Sequence, residues 1–207
     1  MPFRSTTSLA CLASLLAVLL PPMTSCVQAQ ESLAEHWLDV LRGRVPHESA
    51  LGGYAGVAHD WSHMSFFLAS WQALYDYDAI WPHKAPEGLG IRFEGNLGVA
   101  TGTEFSGERL VASGNFLAVY EFDSPKTSAV VPYVEAGVGL IYTDFQREDQ
   151  AFRLNFNPVA GFGVRMGSAF VVLRLHHLSN AGWDDDNRGI NSLVLGFGLY
   201  LGPNGQP

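Results

Sequence analysis

The amino-acid sequence predicts an all-β protein, an eight-stranded antiparallel transmembrane β-barrel preceded by a short N-terminal lead-in segment. Three observations favour this fold class. Strand-like segments recur eight times after residue 50, large apolar side chains alternate with small or charged ones along them, and the charged residues share a face with most of the glycines. Most segments have the roughly 9 to 11 residues that a tilted strand needs to cross a bilayer.

An export signal is predicted over residues 1–29. Arg4 supplies its positive charge, Leu9 to Leu20 its apolar stretch, and Val27-Gln28-Ala29 a small-residue cleavage site. The apolar stretch is shorter than the roughly 20 residues of a membrane-spanning helix. Cleavage after residue 29 removes both cysteines of the sequence, so the mature chain would have no disulfide, thiol nucleophile or cysteine metal site. Met23-Thr24-Ser25-Cys26 weakly resembles a lipoprotein signal, which leaves a lipid-anchored alternative open.

Residues 30–50 form the most polar stretch, where Leu33, Trp37 and Leu41 fall near helical spacing. A short polar lead-in with helical character is therefore predicted before a barrel of residues 51–207. The eight strands are predicted at about Gly52 to Ala58, Met64 to Ala73, Gly88 to Val99, Leu110 to Phe122, Val131 to Thr143, Leu154 to Met166, Ala169 to Ser179, and Asn191 to Leu201.

The side-chain alternation distinguishes a membrane barrel from a soluble one. A soluble ligand-binding barrel places its large apolar side chains inside and its charges outside. Here the charges share the face of small residues, and they comprise Arg92, Glu94, Glu121, Glu135, Arg165 and Arg174. Small residues and a balanced charge set suit the cramped interior of an eight-stranded barrel whose outside faces lipid.

The even strand number and a periplasmic N-terminus place the connection Asn180 to Ile190 on the extracellular side. Met166-Gly167-Ser168-Ala169 is then a tight periplasmic turn. Several tryptophans fall near segment ends, as in interfacial girdles, although core packing is nearly as compatible: Trp61, Trp71, Trp81 and Trp183. The net charge of −8 makes nucleic acid an unsuitable partner.

One polar cluster on the apolar face suggests chemistry. His177 and Ser179 share a strand face, and Asn191 has the same parity at the start of the next strand. Two strand rises separate the first two Cα atoms by roughly 6 to 7 Å, so the imidazole can reach the hydroxyl. A histidine base activates a serine for acyl transfer, and an asparagine carbonyl can hold the ring in its productive tautomer. Taken alone, such a pair is more often a polar rim at a strand end.

Four stretches of the sequence form recognisable motifs: Pro132-Tyr133-Val134-Glu135-Ala136-Gly137-Val138-Gly139, Gly161-Phe162-Gly163-Val164-Arg165, His177-Leu178-Ser179-Asn180-Ala181-Gly182, and Asn187-Arg188-Gly189-Ile190-Asn191. Through these motifs the sequence resembles, over about Gly52 to Leu201, the outer-membrane lipid A 3-O-deacylases, also described as acyloxyacyl hydrolase-like. The resemblance implies an eight-stranded outer-membrane barrel that hydrolyses the ester-linked acyl chain at the 3 position of lipid A. His177 would be the general base and Ser179 the nucleophile. The acid position of the family, a glutamate in its best-known form, is Asn191 here.

The resemblance also implies oxyanion donors beside the serine: the Asn180 side chain and the backbone N–H groups of Ala181 and Gly182. A plain turn is the alternative interpretation of this Asn-Ala-Gly stretch. Arg188 is a candidate for contact with a lipid A phosphate. Asp184-Asp185-Asp186 lacks the spacing of a calcium loop and is expected to be a solvated tip, so no metal site and no cofactor are predicted.

The predicted function is that of a lipid A 3-O-deacylase, a serine esterase that acts on lipopolysaccharide in the outer leaflet of a bacterial outer membrane. A homodimer is left open. Two alternatives remain at this point: a non-catalytic outer-membrane barrel that retains the motif as scaffold, and a barrel phospholipase or acyltransferase that shares the lipid-facing site.

Overall fold

Eight antiparallel strands form one closed barrel in the computed structural model, which describes residues 46–58, 63–81, 84–103, 105–122, 129–146 and 150–202. The strands are β1 (Glu48–Ala58), β2 (Ser65–Asp76), β3 (Leu89–Thr101), β4 (Arg109–Glu121), β5 (Val131–Thr143), β6 (Leu154–Met166), β7 (Ala169–Leu178) and β8 (Ile190–Leu201). Each strand pairs with its neighbour in chain order, and β1 closes the barrel against β8. The eight-stranded antiparallel barrel expected from the sequence is confirmed.

The strand bounds agree with those expected from the sequence to within a few residues, and β5 and β6 agree at both ends. The largest difference is at β1, which begins at Glu48, so the barrel starts before the expected boundary at residue 51. The Glu48 carboxylate faces inward and meets the Arg165 guanidinium at 2.7 Å. Glu48 is polar because it belongs to the barrel interior, and this polarity explains why the sequence pattern places it in the lead-in segment. The predicted signal of residues 1–29 and most of that lead-in lie outside the described residues.

A four-residue helix, α1 (Tyr77–Ile80), lies in the connection between β2 and β3 and buries Ile80. Among the residues that the structure describes, no helix is long and apolar enough to cross a membrane.

A polar network fills the middle of the barrel. The guanidinium groups of Arg92 and Arg174 both bind the Glu135 carboxylate, and Arg174 also meets Glu94 at 2.9 Å. These four side chains are fully buried. Amide and hydroxyl donors complete the coordination of Glu94: Tyr54, Asn96 and Asn115. Two acidic and two basic side chains balance in the centre, as a buried ionic network requires. Together with their hydrogen-bond partners they fill the middle of the barrel.

The barrel exterior is apolar. The side chains of Leu175 and Phe197, for example, are 63% and 62% exposed. These residues alternate along β7 and β8 with inward-facing buried ones. Such a surface is stable against hydrocarbon and unfavourable against water, so the structure is that of a barrel that spans a membrane.

Candidate active site

His177 and Asn191 lie directly opposite each other on β7 and β8, on the exterior of the barrel. The Nδ1 atom of His177 is 2.7 Å from the Oδ1 atom of Asn191. Because the amide oxygen only accepts hydrogen bonds, Nδ1 is the protonated ring nitrogen, and Nε2 is left with its lone pair free. That is the tautomer in which an imidazole can take a proton from a neighbouring hydroxyl.

Ser179 lies just beyond the end of β7, on the same exterior face as His177. Its backbone continues the pairing with β6: the Ser179 N–H donates to the Phe156 carbonyl at 3.1 Å, and the Phe156 N–H donates back at 2.8 Å. The strand expected to reach Ser179 ends at Leu178, and this single bridge takes its place. Within the described chain no hydrogen bond joins the His177 ring to the Ser179 hydroxyl.

Gly189 is a residue of the site that the sequence reasoning missed. A Cβ atom at this position would lie 2.9 Å from Cε1 and 3.4 Å from Nε2 of His177. The absence of a side chain therefore leaves the room that the imidazole occupies on its Nε2 side. The only signal in the sequence was its place within Asn187-Arg188-Gly189-Ile190-Asn191.

Asn180 organises the loop between β7 and β8. Its side chain is buried; Nδ2 donates to the carbonyls of Asp184 and Asp186 at 3.3 and 3.1 Å, and Oδ1 accepts from the Gly182 N–H at 2.8 Å. Two of the three oxyanion donors implied by the resemblance are thus committed to the shape of the loop. The Ala181 N–H has no hydrogen bond within the described chain, and it is the one that the loop leaves available.

The Ala181 backbone is held in an unusual conformation next to this donor. Its φ is +56°, and the following Gly182 has a φ of +77°. A left-handed conformation costs an alanine roughly 1 to 2 kcal/mol, whereas glycine adopts it freely. The hydrogen bonds of the Asn180 side chain stabilise this strained turn. In the turn, the Ala181 N–H makes no hydrogen bond to another described residue of the loop.

The tip of the loop is polar and exposed. Asp184, Asp185 and Asp186 are solvent-exposed, and the Asp184 carboxylate accepts from the Asp186 N–H at 3.0 Å. Arg188 is half-buried, with no ion pair among the described residues. In that part of the chain no group of three or more potential ligand side chains is placed to hold a metal ion.

An apolar cleft of about 610 Å³ opens on the barrel exterior directly beneath His177 and Asn191. We call it the His177 cleft; its apolar lining comes from Pro158, Ala160, Leu175 and Leu193. On the other side of Ser179, the rings of Phe156 and Trp183 meet edge to face with centroids 5.0 Å apart, and Trp183 is 66% exposed. We call His177, Ser179 and Asn191 the polar triplet. The polar triplet therefore lies between apolar surfaces and is accessible from the membrane rather than from the filled barrel interior.

His176 lies on the opposite face of β7 from His177. It pairs with Ser192 across the strands and lines a small internal cavity with Asn157 and Leu178. Adjacent histidines of one strand thus face two environments, as strand geometry requires.

Comparisons with known proteins agree with this architecture. The protein family described as "Lipid A 3-O-deacylase (PagL)" matches residues 66–200, a range that contains every residue of the candidate site. No curated protein matches the chain in a sequence comparison. Among solved structures, the crystal structure of the outer membrane enzyme PagL is 22% identical with a TM-score of 0.55, covering 72% of this chain and 98% of that one. Neisserial surface protein A is 15% identical with a TM-score of 0.50, covering 74% of this chain and 93% of that one. The likeness to these structures is one of fold.

Proposed function

The chain belongs to the lipid A 3-O-deacylase (PagL) family, and on that premise we propose that this outer-membrane barrel is a serine esterase that removes the acyl chain at the 3 position of lipid A in the outer leaflet. The observation that carries the proposal is the bond from His177 Nδ1 to Asn191 Oδ1, which leaves the other ring nitrogen free on the face that bears Ser179. The site opens toward lipid, so its substrate arrives from within the membrane.

The chemistry follows from these groups. As the Ser179 hydroxyl attacks the ester carbonyl carbon, Nε2 of His177 takes its proton, and Asn191 keeps the ring oriented. The bond from the carbonyl carbon to the sugar oxygen then breaks, and the proton held on Nε2 passes to that oxygen. Water, deprotonated by the same nitrogen, hydrolyses the acyl-serine and releases a free fatty acid.

Charge that develops on the carbonyl oxygen needs a donor. The Ala181 N–H is the member of the loop that is free to supply it, and such a donor is typically worth ~3 kcal/mol of transition-state stabilisation. The His177 cleft suits the acyl chain of the scissile ester, because it is apolar and begins at the imidazole. Arg188, at the loop, is the proposed contact for a phosphate of the lipid A headgroup.

Asn191 and the separation of His177 from Ser179 are the two observations that favour the alternative, a barrel that keeps the motif without catalysing the reaction. An amide stabilises a transient imidazolium less than a carboxylate does. One experiment distinguishes the serine esterase from the non-catalytic barrel.

The test compares lipid A from cells that express the native protein with lipid A from cells that express Ser179→Ala. Mass spectrometry should show loss of one ester-linked 3-hydroxy fatty acid with the native protein only, at equal amounts of heat-modifiable barrel. Unaltered lipid A in both kinds of cell would support the non-catalytic barrel. Loss of a phospholipid acyl chain instead would identify a phospholipase.

A further inference from the structure

A second apolar cleft, of about 720 Å³, lies on the exterior of the barrel across β3, β4 and β5. Its floor is formed by Gly95 and Gly114, which are directly opposite each other on β3 and β4. A Cβ built on either glycine would have no atom within 4 Å. We call this depression the glycine cleft; its walls come from Trp71, Phe93, Phe116, Val138, Leu140 and Phe156. Trp71, expected near a strand end, lies instead in the middle of β2.

The glycine cleft is continuous with the candidate active site. Ser179 pairs with Phe156, Phe156 with Leu140, Leu140 with Gly114, and Gly114 with Gly95. All five residues face the exterior in one row along the hydrogen-bonding direction. With strands ~4.8 Å apart, the cleft floor begins about 14 Å from Ser179 along the row.

This row also descends through the membrane. Continued past Gly95, it passes Trp71, Leu51 and Leu199 and returns to β7 at Ala169. Ala169 is at the opposite end of the strand from Ser179. The row therefore winds from the loop end of the barrel to its other end, and the glycine cleft lies near the middle of that path. An acyl chain attached to a headgroup beside Ser179 also extends from the loop end of the barrel into the hydrocarbon, in the direction of this row.

The two clefts begin on opposite sides of the polar triplet. The His177 cleft starts at His177 and Asn191, whereas the glycine cleft starts at Phe156, the pairing partner of Ser179. A lipid with a single chain can fill only one of them.

We propose that the glycine cleft binds a second acyl chain of the same lipid whose scissile chain occupies the His177 cleft. The site then selects lipids that carry at least two chains diverging from one headgroup. This inference rests on the proposed function. Because lipid tails are as apolar as the barrel exterior, the cleft acts through position and shape rather than through transfer out of water. Seating a second chain fixes the ester relative to Ser179, and such positioning governs rate strongly.

The test fills the cleft and compares two substrates. Gly114→Leu places a side chain into open space, so the barrel should fold; Gly95→Leu is a second variant with the same property. Ala118→Leu is the matched control, since Ala118 is exposed on the same strand and face but does not line the cleft. The purified proteins are assayed in detergent micelles with lipid A and with the single-chain ester p-nitrophenyl laurate.

Gly114→Leu should lower kcat/KM for lipid A by about tenfold and leave hydrolysis of p-nitrophenyl laurate unchanged, while Ala118→Leu alters neither. Equal loss on both substrates, or no loss on lipid A, would overturn the proposal.

A second measurement separates this inference from the proposed function. In the Ser179→Ala background, lipid A should raise the unfolding temperature of the barrel, and added Gly114→Leu should reduce that rise. If the native protein is inert on both substrates, the proposed function fails, and this binding measurement alone decides the role of the cleft: an unchanged rise overturns it.

Discussion

The Nδ1 atom of His177 and the Oδ1 atom of Asn191 lie 2.7 Å apart across two neighbouring strands that place the residues in direct register. Register between paired strands is set by the whole barrel, so the geometry of this pair is held by the fold and not by a flexible loop. The histidine tautomer is therefore determined by a group on a rigid element.

Asn191→Ala should lower turnover of purified lipid A by about tenfold or more, roughly 1.4 kcal/mol of transition-state stabilisation. Removing the amide leaves Nδ1 without its acceptor and frees the ring to rotate. Asn191→Glu should keep or raise turnover, because a carboxylate holds the same tautomer and also stabilises the imidazolium. An unimpaired Asn191→Ala protein would mean that another group orients His177.

Removing each of the two adjacent histidines should have opposite consequences. His177→Ala should abolish release of 3-hydroxy fatty acid from lipid A, since the His177 imidazole is the proposed base for Ser179 and lies on the same face of the barrel. His176→Ala should retain activity, because that side chain faces the barrel interior. Activity is measured on purified protein after heat-modifiability confirms the fold. Equal loss in both variants would contradict the assignment of the strand faces.

The strands, the facing of their side chains and the shared exterior face of His177, Ser179 and Asn191 could be predicted because each rests on local alternation, which the sequence displays directly. The start of β1 could not, because Glu48 is recognisable as an interior residue only through its ion pair with Arg165, far away in sequence. The contact of Gly189 with His177 and the bonds of Asn180 depend on the path of a loop, and no periodicity encodes that path.

Gly189→Ala should lower kcat by about tenfold with little change in KM. A methyl group at this position would lie 2.9 Å from Cε1 of His177, which forces the ring away from Asn191 while leaving the apolar clefts intact. Gly53→Ala is the control, because a Cβ there meets its nearest atom at an ordinary 3.6 Å. Steady-state kinetics on lipid A micelles measures both variants, and parallel behaviour of the two would exclude a positioning role for Gly189.

Asn180→Ala should reduce activity strongly while the barrel stays folded. The substitution leaves the Asp184 carbonyl without its Asn180 donor, leaves the Asp186 carbonyl with only the Ala151 N–H, and releases the Gly182 N–H. The strained Ala181 conformation then loses its support, so the loop should become more sensitive to protease. Limited proteolysis followed by mass spectrometry locates the cut, and a loop as resistant as the native one would show that Asn180 does not maintain it.

Glu135→Gln should destabilise the barrel more than any substitution at the candidate site. The Glu135 carboxylate binds both Arg92 and Arg174, and all three side chains are fully buried. Its neutralisation leaves two guanidinium groups with only Glu94 to balance them, and breaking a buried ionic pair typically costs about 3 to 5 kcal/mol.

Glu108→Gln is the matched control, because Glu108 is exposed. The measurement is the temperature at which the folded band converts to the unfolded band on gels. Glu135→Gln should lower that temperature clearly and Glu108→Gln should not, and since Glu135 lies inside the barrel, the residual folded Glu135→Gln protein should keep its specific activity. Loss of specific activity in that folded fraction would mean that the interior charges act on the lipid-facing site and not only on stability.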